Sequence, residues 1–322
     1  AMSGINFKVI FTLAWRNLWR NHRRTSIMLA AITVGVWAMI FMTALMRGMV
    51  DDMLINGIRS MPGEVQIHHP LYRDDPSINN SIPEPGSNLL QALQRPEVAA
   101  WTSRVNVPAV ISSERDSRGI VLLGVEPEGE MEVSFDADSI VEGRFLESAD
   151  DRGLVIGRKM AEHLETRLGK RVVVMSQDPD NNIADRGFRI VGIYKAKLAS
   201  LEEMYVYAGR DTVQKMLNIQ GQVSEIVATG EDYRYVDSWL PIIKQAAGDE
   251  LETMSWQEAN RYLGSMMTMM DGFVLVWVFI IFLALSFGLV NTLVMAVFER
   301  IREIGLMLAL GMRPGMILYQ IL

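Results

Sequence analysis

Two long uncharged runs dominate the hydrophobic pattern of the chain. Residues 25–46 contain no Asp, Glu, Lys or Arg, and residues 273–298 form a second run of this kind. At a rise of about 1.5 Å per residue, the first run reaches about 33 Å, enough for the roughly 30 Å hydrocarbon core of a bilayer. A buried core helix is the alternative, but its uncharged run is usually much shorter. The pattern predicts two membrane-spanning helices, which we place at residues 25–47 and 271–298.

The charges beside these runs indicate which way they cross the membrane. Several basic side chains precede the first run, and two acidic ones follow it: Arg16, Arg20, Arg23 and Arg24, then Asp51 and Asp52. Basic residues are enriched on the cytoplasmic side of membrane helices, so we expect the N-terminus in the cytoplasm. Two spans then leave residues 48–270 outside and return the chain to the cytoplasm near residue 299.

The first 24 residues have an amphipathic helical pattern. Polar side chains recur every four residues at Lys8, Thr12, Arg16 and Arg20, and apolar ones, with two tryptophans, fill the remaining positions. This pattern is typical of a helix that lies in the membrane interface. We predict a cytoplasmic interfacial helix at residues 1–24; a plain extension of the first span is the alternative.

The outside segment, residues 48–270, has mixed periodicity and is predicted to form an α+β domain. Residues 72–87 and 176–187 are polar and are predicted to be loops. Helix-forming residues 49–59 and 257–270 flank the segment and are predicted to continue both spans outward as helical stalks, the second as one helix from Gln257 to about Phe298. The predicted strands are Glu64–His69, Val105–Ser112, Ile120–Val125, Leu154–Ile156, Arg171–Met175, Phe188–Tyr194, Met204–Tyr207 and Val223–Ala228. The predicted helices are Asn88–Gln94, Lys159–Leu168, Asp211–Leu217 and Tyr235–Ala247.

Composition and charge exclude several classes of function. Residues 48–270 carry 22 basic and 35 acidic side chains, a net charge of −13, which disfavours nucleic-acid binding. The chain has no cysteine, which excludes disulfides and thiolate metal sites. Adjacent His68 and His69 point to opposite faces of a strand and are not expected to share a metal. With no nucleotide-binding fingerprint and no catalytic constellation, we expect no enzyme activity, metal or cofactor on this chain.

The most specific motif follows the second span. The sequence NTLVMAVFERIREIGLMLALGM at residues 291–312 resembles the signature of FtsX-like permeases: an Asn in the membrane, then E-R-x-R-E-I-G, then A-x-G. The opening AWRNLWRNHRRT at residues 14–25 is also similar to the start of such permeases. Four segments of the outside domain resemble those of the MacB and LolC/LolE permeases: LLGVEPE (122–128), VEGRFLE (141–147), LGKRVVV (168–174) and FRIVGIYK (188–195).

This resemblance implies an α-helical transmembrane protein with a large inserted α+β periplasmic domain of MacB-like type, built from two subdomains. It further implies an ABC transporter permease of the bacterial inner membrane that works by mechanotransmission. ATP and Mg would be bound by a separate cytoplasmic ATPase subunit, and a second permease copy or paralogue would complete a dimer among the membrane lipids. A periplasmic carrier or lipoprotein is a further candidate partner, while nucleic acid is not expected.

The resemblance leaves the cargo open. The layout is closest to lipoprotein-releasing permeases, so a lipoprotein or lipid cargo is expected. A MacB-like efflux component for peptides or drugs is one alternative, although such a subunit carries its own nucleotide-binding domain ahead of the first span. An FtsX-type signalling protein that activates cell-wall hydrolases is another, although its outside domain is much smaller.

Three groups of candidate site residues follow from these patterns. Residues 299–312 are predicted to be a coupling helix that contacts the ATPase, with a solvated linker as the alternative; its residues are Glu299, Arg300, Arg302, Glu303, Gly305, Leu308 and Gly311. A small-residue stripe in the second span is predicted to pack against another helix, unless it merely reflects common span composition; it contains Ala284, Gly288, Thr292 and Ala296. The 176–187 loop is predicted to contact a periplasmic partner, with a mobile solvated loop as the alternative; its charges are Asp178, Asp180, Asp185 and Arg186.

Residues 313–322 resemble the opening turns of another membrane helix. FtsX-like permeases have four spans, so we expect this segment to start a third span and the natural protein to continue beyond it.

Overall fold

A computed structural model describes residues 22–59, 63–299 and 301–311. These residues divide into two units: a helical unit, within Ala1–Asp51 and Met266–Leu322, and an α+β unit, Asp52–Ser265. Most of the predicted interfacial helix at residues 1–24, and all of 313–322, lie outside the described residues.

The described helices and strands are numbered in chain order. The α-helices are α1 His22–Arg59, α2 Ser87–Leu93, α3 Pro127–Val133, α4 Arg158–His163, α5 Ala199–Met204, α6 Arg210–Leu217, α7 Val236–Ala247, α8 Trp256–Ala259, α9 Arg261–Glu299 and α10 Ile301–Ala309. The strands are β1 Val65–His68, β2 Ile82–Pro83, β3 Ala100–Ser112, β4 Ser117–Val125, β5 Ile140–Gly143, β6 Gly153–Gly157, β7 Arg171–Gln177, β8 Ile183–Tyr194, β9 Tyr205–Gly209, β10 Gln222–Val223, β11 Glu225–Thr229 and β12 Glu252–Ser255.

The helical unit is built on α1 and α9, which contain the two uncharged runs. Thr25–Ile58 and Thr268–Gly288 are long and apolar enough to cross a membrane, and none of the residues in their most apolar windows is buried within the protein. Large apolar side chains such as Trp37 and Phe282 are more than half exposed. An apolar surface of this kind is stable in lipid rather than in water. Both helices also extend beyond these runs.

The second stalk differs from its prediction as one continuous helix from Gln257. Helix α8 ends at Ala259, Asn260 has non-helical backbone angles (φ −119°, ψ 85°), and α9 begins at Arg261. The short α8 is fixed by a capping box between Ser255 and Glu258. The break therefore follows from local capping, and α9 itself runs unbroken for 39 residues.

Six strands of the α+β unit pair into a closed ring. The pairings run β3–β4–β9–β6–β8–β7 and return from β7 to β3. Because the ring is closed, each of these strands has a neighbour on both sides over part of its length, and no edge is free there. Alternate positions carry fully buried apolar side chains, which form the core of this subdomain: Ile111, Leu122, Ile156, Val174, Phe188 and Val206.

A second subdomain is an antiparallel sheet covered by helices. Its strand order is β12–β1–β11–β3, and α2 and α7 pack against each other while α7 also contacts β1 and β12. Strand β3 belongs to both subdomains: Ala100–Arg104 pairs with β11, and Val105–Ser112 pairs with β4. Thirteen residues of one strand therefore join the sheet to the ring.

Two predictions of local structure are wrong in extent. The predicted 176–187 loop is mostly strand, because β7 and β8 pair as far as Gln177 and Ile183 and leave only residues 178–182 as the turn. The predicted helix Lys159–Leu168 ends at His163, and Glu165 adopts a left-handed conformation (φ 47°) that a continuing helix excludes.

Candidate functional site

The end of α1 is anchored in the α+β unit. Leu54 and Ile58 are buried, with 1% and 3% of their surface exposed. Between them, Lys197 Nζ donates a hydrogen bond of 2.7 Å to Asn56 Oδ1. Lys197 follows β8, a strand of the ring, so this bond ties the helix to the ring subdomain. Apolar burial and this polar contact make the last turns of α1 part of the folded unit.

A buried ionic cluster lies where β3 passes from the sheet to the ring. Arg104 Nε and Nη2 each donate to the Glu130 carboxylate at 2.8 Å, and Nη2 also donates to Ser134 Oγ at 2.9 Å. Glu225 Oε1 of β11 lies 3.6 Å from Arg104 Nη1. The side chains of Arg104 and Glu130 are fully buried. We call Arg104, Glu130, Ser134 and Glu225 the polar joint.

Electrostatics within the polar joint follow from burial and from two carboxylates facing one guanidinium. Burial would lower the pKa of Arg104, but Glu130 and Glu225 outweigh it and hold that pKa above its ordinary value. Burial raises the pKa of Glu225, and the negative charge of Glu130 adds to this, while Arg104 opposes it. Removing one charged member of the joint would leave the buried charge of its partner uncompensated. The joint is therefore a fixed contact between β3, α3 and β11.

The partner-loop residues form a tight turn and its flanking strand. The Asp178 carboxylate accepts hydrogen bonds from the backbone N–H of Asp180 (3.0 Å) and of Asn182 (2.8 Å). Asp185 is exposed, whereas the half-buried Arg186 lies 5.8 Å from the ring centroid of Phe188. The structure therefore does not gather the four predicted residues into one charged surface, and Asp178 has a structural role in the turn.

The predicted coupling segment forms the short helix α10. Arg302, Gly305 and Leu308 are exposed. Gly311 ends the segment with a left-handed backbone (φ 86°), and its N–H donates to the Leu308 carbonyl oxygen at 3.0 Å. Arg300 lies outside the described residues, and so do the side chains of Glu299 and Glu303. Exposed Leu306 and Leu308 leave apolar surface available on this helix.

The small-residue stripe is described in part. Ala284 and Gly288 are exposed on α9, and a Cβ added at Gly288 would meet no atom within 4 Å. The side chains of Thr292 and Ala296 lie outside those the structure describes. Packing of the stripe against another helix therefore stays a prediction.

Sites for a small ligand or a metal are limited in the described part of the chain. Two pockets of the α+β unit have volumes of about 220 and 100 Å³, below the several hundred Å³ typical of sites for drug-sized ligands. No group of three or more His, Asp or Glu side chains among the described residues could hold a metal ion.

Similarity to known proteins covers most of the chain. Residues 25–239 match the family model of the MacB-like periplasmic core domain. The lipoprotein-releasing system transmembrane protein LolC of Neisseria meningitidis is 22% identical over 302 residues, covering 90% of this chain and 70% of that protein. An uncharacterized ABC transporter permease of Methanocaldococcus jannaschii is 29% identical over 177 residues, covering 53% of this chain and 43% of that protein.

Two solved structures are similar to part of the chain. The extracellular domain of the noncanonic ABC-type transporter YknZ from Gram-positive bacteria matches 60% of this chain and 99% of its own, with 16% identity and a TM-score of 0.44. The periplasmic region of MacB from Actinobacillus actinomycetemcomitans matches 66% of this chain and 95% of its own, with 14% identity and a TM-score of 0.45.

Proposed function

Because the chain belongs to the MacB-like periplasmic core domain family, as an ABC transporter permease of the FtsX/MacB/LolC type, we propose that it transmits motion from a cytoplasmic ATPase to its α+β unit. In this proposal the spans do not form a channel for cargo. ATP-driven movement at the coupling helix α10 is conveyed along α9 and α1, and the outside unit then extracts or displaces its cargo.

One observation carries this proposal: α1 continues from its uncharged run into the α+β unit without a break. It runs 38 residues from His22 to Arg59, and its last turns are anchored by the buried Leu54 and Ile58. A helix is stiff along its axis because each residue is held by a backbone hydrogen bond four residues away. Displacement of the membrane part of α1 therefore moves the anchored unit.

A lipoprotein or lipid is the cargo class we favour. Support comes from the similarity to LolC, which extends over 302 residues and includes the outside domain. Mass spectrometry of molecules that co-purify with the intact complex distinguishes the alternatives: bound acylated protein or lipid supports this class, and a bound peptide or drug supports MacB-like efflux.

Site-specific cross-linking tests the contact with the ATPase. The chain has no cysteine, so single cysteines introduced at Arg302 and Leu308 are unique reactive sites. We expect both to cross-link to the ATPase subunit in the assembled complex. A matched cysteine at Ile280, exposed within the candidate span of α9, should give no such product. Equal yields from all three positions would contradict the proposed contact.

Charge reversal at Glu303 tests coupling itself. Glu303→Lys should disturb ATPase docking and uncouple hydrolysis from cargo movement while the α+β unit remains folded. Normal co-purification with the ATPase together with full activity would show that α10 is not the coupling helix.

A further inference from the structure

Four exposed basic side chains lie together where the β7–β8 hairpin begins. We call Arg167, Lys170, Arg171 and Arg189 the basic cluster. Arg171 and Arg189 are direct cross-strand partners in the hairpin register. Arg189 Nη1 also lies 3.5 Å from the carbonyl oxygen of Gly169, which brings it to the turn that contains Arg167 and Lys170.

None of these four side chains makes an ion pair with another residue of the described chain, although the outside segment has an excess of 13 negative charges. Like charges directly opposite each other destabilise an antiparallel strand pair. The Arg171–Arg189 pair is therefore a local electrostatic cost. The 3.5 Å contact of Arg189 Nη1 with the Gly169 carbonyl oxygen does not neutralise it, because that oxygen carries no net charge. An external anionic group would offset this cost.

A flat apolar wall adjoins the basic cluster on the same outward face of the hairpin. Side chains alternate along a strand, so Arg171, Val173 and Met175 project to one side of β7. Val110 of β3, opposite Met175, completes the wall; Val173 and Val110 are 39% and 40% exposed. The exposed Asp185 of β8, which also pairs with Met175, bounds the wall at the end away from the basic cluster. Gly187, opposite Val173, adds no side chain, and a Cβ there would meet no atom within 4 Å. The surface next to Val173 is thus not covered by another side chain.

We propose that the basic cluster and this wall form a docking surface for an acidic segment of a partner protein. Paired guanidinium groups bind carboxylates through two parallel hydrogen bonds each, and the wall accepts apolar side chains that alternate with them. A lipid surface fits less well, because membrane-binding faces insert protruding aromatic or leucine side chains. The wall carries half-exposed valines beside a glycine, and Leu168, in the turn of the basic cluster, is only 38% exposed. The inference goes beyond the proposed function, since it concerns the α+β unit alone and does not depend on ATPase coupling.

Peptide binding to the full chain in phosphatidylcholine nanodiscs tests the surface. The probe is a fluorescent ten-residue peptide of alternating Glu and Val, followed by anisotropy at low and high salt. We expect saturable binding that salt weakens, and a loss of at least about tenfold in affinity with Arg189→Glu. The matched control is Arg118→Glu, which reverses an exposed arginine that already pairs with Asp116 at 2.9 Å. The affinity of the Arg118→Glu variant for the peptide should stay within about twofold of the wild-type affinity.

A stability measurement separates a binding role from a structural one. Arg189→Glu places a carboxylate opposite Arg171, so the thermal midpoint of the α+β unit should stay equal or rise while peptide affinity falls. A fall in the midpoint would show that Arg189 supports the fold, and would overturn the proposal. The proposal also fails if the peptide does not bind, if Arg118→Glu weakens binding equally, or if the cluster captures phosphatidylglycerol vesicles and not the peptide.

Discussion

At the scale of single residues, the polar joint is a buried ionic contact whose partners depend on one another. Arg104 and Glu130 are fully buried and joined by two hydrogen bonds of 2.8 Å. A buried ion pair contributes little net stability compared with apolar residues of similar shape, but removing one partner leaves a buried charge uncompensated. The joint therefore fixes geometry where the sheet meets the ring more than it adds stability.

Arg104→Met should lower the free energy of unfolding by about 3–5 kcal/mol, because Glu130 and Glu225 lose their buried cation. The triple variant Arg104→Met, Glu130→Met and Glu225→Met should recover most of this loss. Urea unfolding of the full chain in detergent, followed by tryptophan fluorescence, measures both. A triple variant as unstable as the single one would show that the ionic contacts themselves provide the stability.

Asp151 gives a prediction for pH dependence. Burial would raise the pKa of Asp151, but Arg144 Nη1 at 2.8 Å and the N–H groups of Glu147 and Gly153 outweigh it, so the pKa lies below its ordinary value. A depressed pKa means that the carboxylate stabilises the fold above the unfolded value of about 3.9 and loses this contribution as pH falls through the folded value.

Asp151→Asn should therefore lower the free energy of unfolding by about 1–3 kcal/mol at pH 7. In asparagine an NH₂ donor replaces one carboxylate oxygen, and this donor would face the other N–H donors of the site. The difference from wild type should shrink below about pH 4. Thermal midpoints from pH 3 to 8 measure this. A difference that is constant across this range would contradict the role of the ionised form.

The sequence could not predict the polar joint, although it contains the three charged residues in plain view. Arg104 lies just before the predicted strand Val105–Ser112, next to the polar Ser103, and its partner Glu130 lies 26 positions away in the chain. Periodicity assigns a residue to a face of its own strand but does not identify which distant element covers that face.

At the scale of elements, all eight predicted strands are confirmed as strand, although Val223–Ala228 is divided between β10 and β11. The strands that the pattern missed, including β5 Ile140–Gly143 and β12 Glu252–Ser255, are short and partly polar. The length of the β7–β8 hairpin is greater than predicted, because the half of the hairpin next to its turn is polar. This half lies outside the ring core, so its strand pairing rests on backbone hydrogen bonds rather than on apolar alternation.

The turn of that hairpin remains our candidate for a partner contact, now limited to residues 178–182. Replacing these five residues with Asn-Gly should preserve folding, because this dipeptide favours a two-residue hairpin turn. If the turn docks a partner, the variant should hydrolyse ATP normally in the complex yet fail to deliver cargo. Wild-type delivery would leave the turn with no role beyond connecting the strands.

The small-residue stripe of α9 gives a second prediction at this scale. Gly288→Leu should weaken assembly with a second permease subunit, because a large side chain keeps neighbouring helices apart. Cross-linking between cysteines introduced beside the stripe measures the effect, and Phe287→Leu on an adjacent exposed position serves as control. An unchanged yield for Gly288→Leu would indicate that the stripe faces lipid.

At the scale of the whole molecule, the family and the α+β class were predictable from motifs and periodicity, but the ring closure was not. Closure depends on β7 pairing with β3 at Val110–Ser112, a long-range arrangement that strand patterns do not encode. Transmission of motion depends on the helices instead. The last turns of α1 are anchored in the α+β unit, and α10 follows the C-terminal end of α9.

The most direct test of mechanotransmission is energy transfer between the outside unit and the membrane surface during ATP turnover. A dye on Glu128→Cys, an exposed position of α3, is paired with headgroup-labelled lipid in nanodiscs that contain the full complex with its ATPase. Met49→Gly with Met53→Gly loosens α1, since each glycine costs a helix about 1 kcal/mol relative to alanine. Met49→Ala with Met53→Ala is the matched control.

We predict an ATP-dependent change in transfer efficiency for wild type and for the alanine pair, and its loss in the glycine pair while ATP hydrolysis continues. If the glycine pair shows the same ATP-dependent change in transfer efficiency as wild type, transmission through α1 is contradicted.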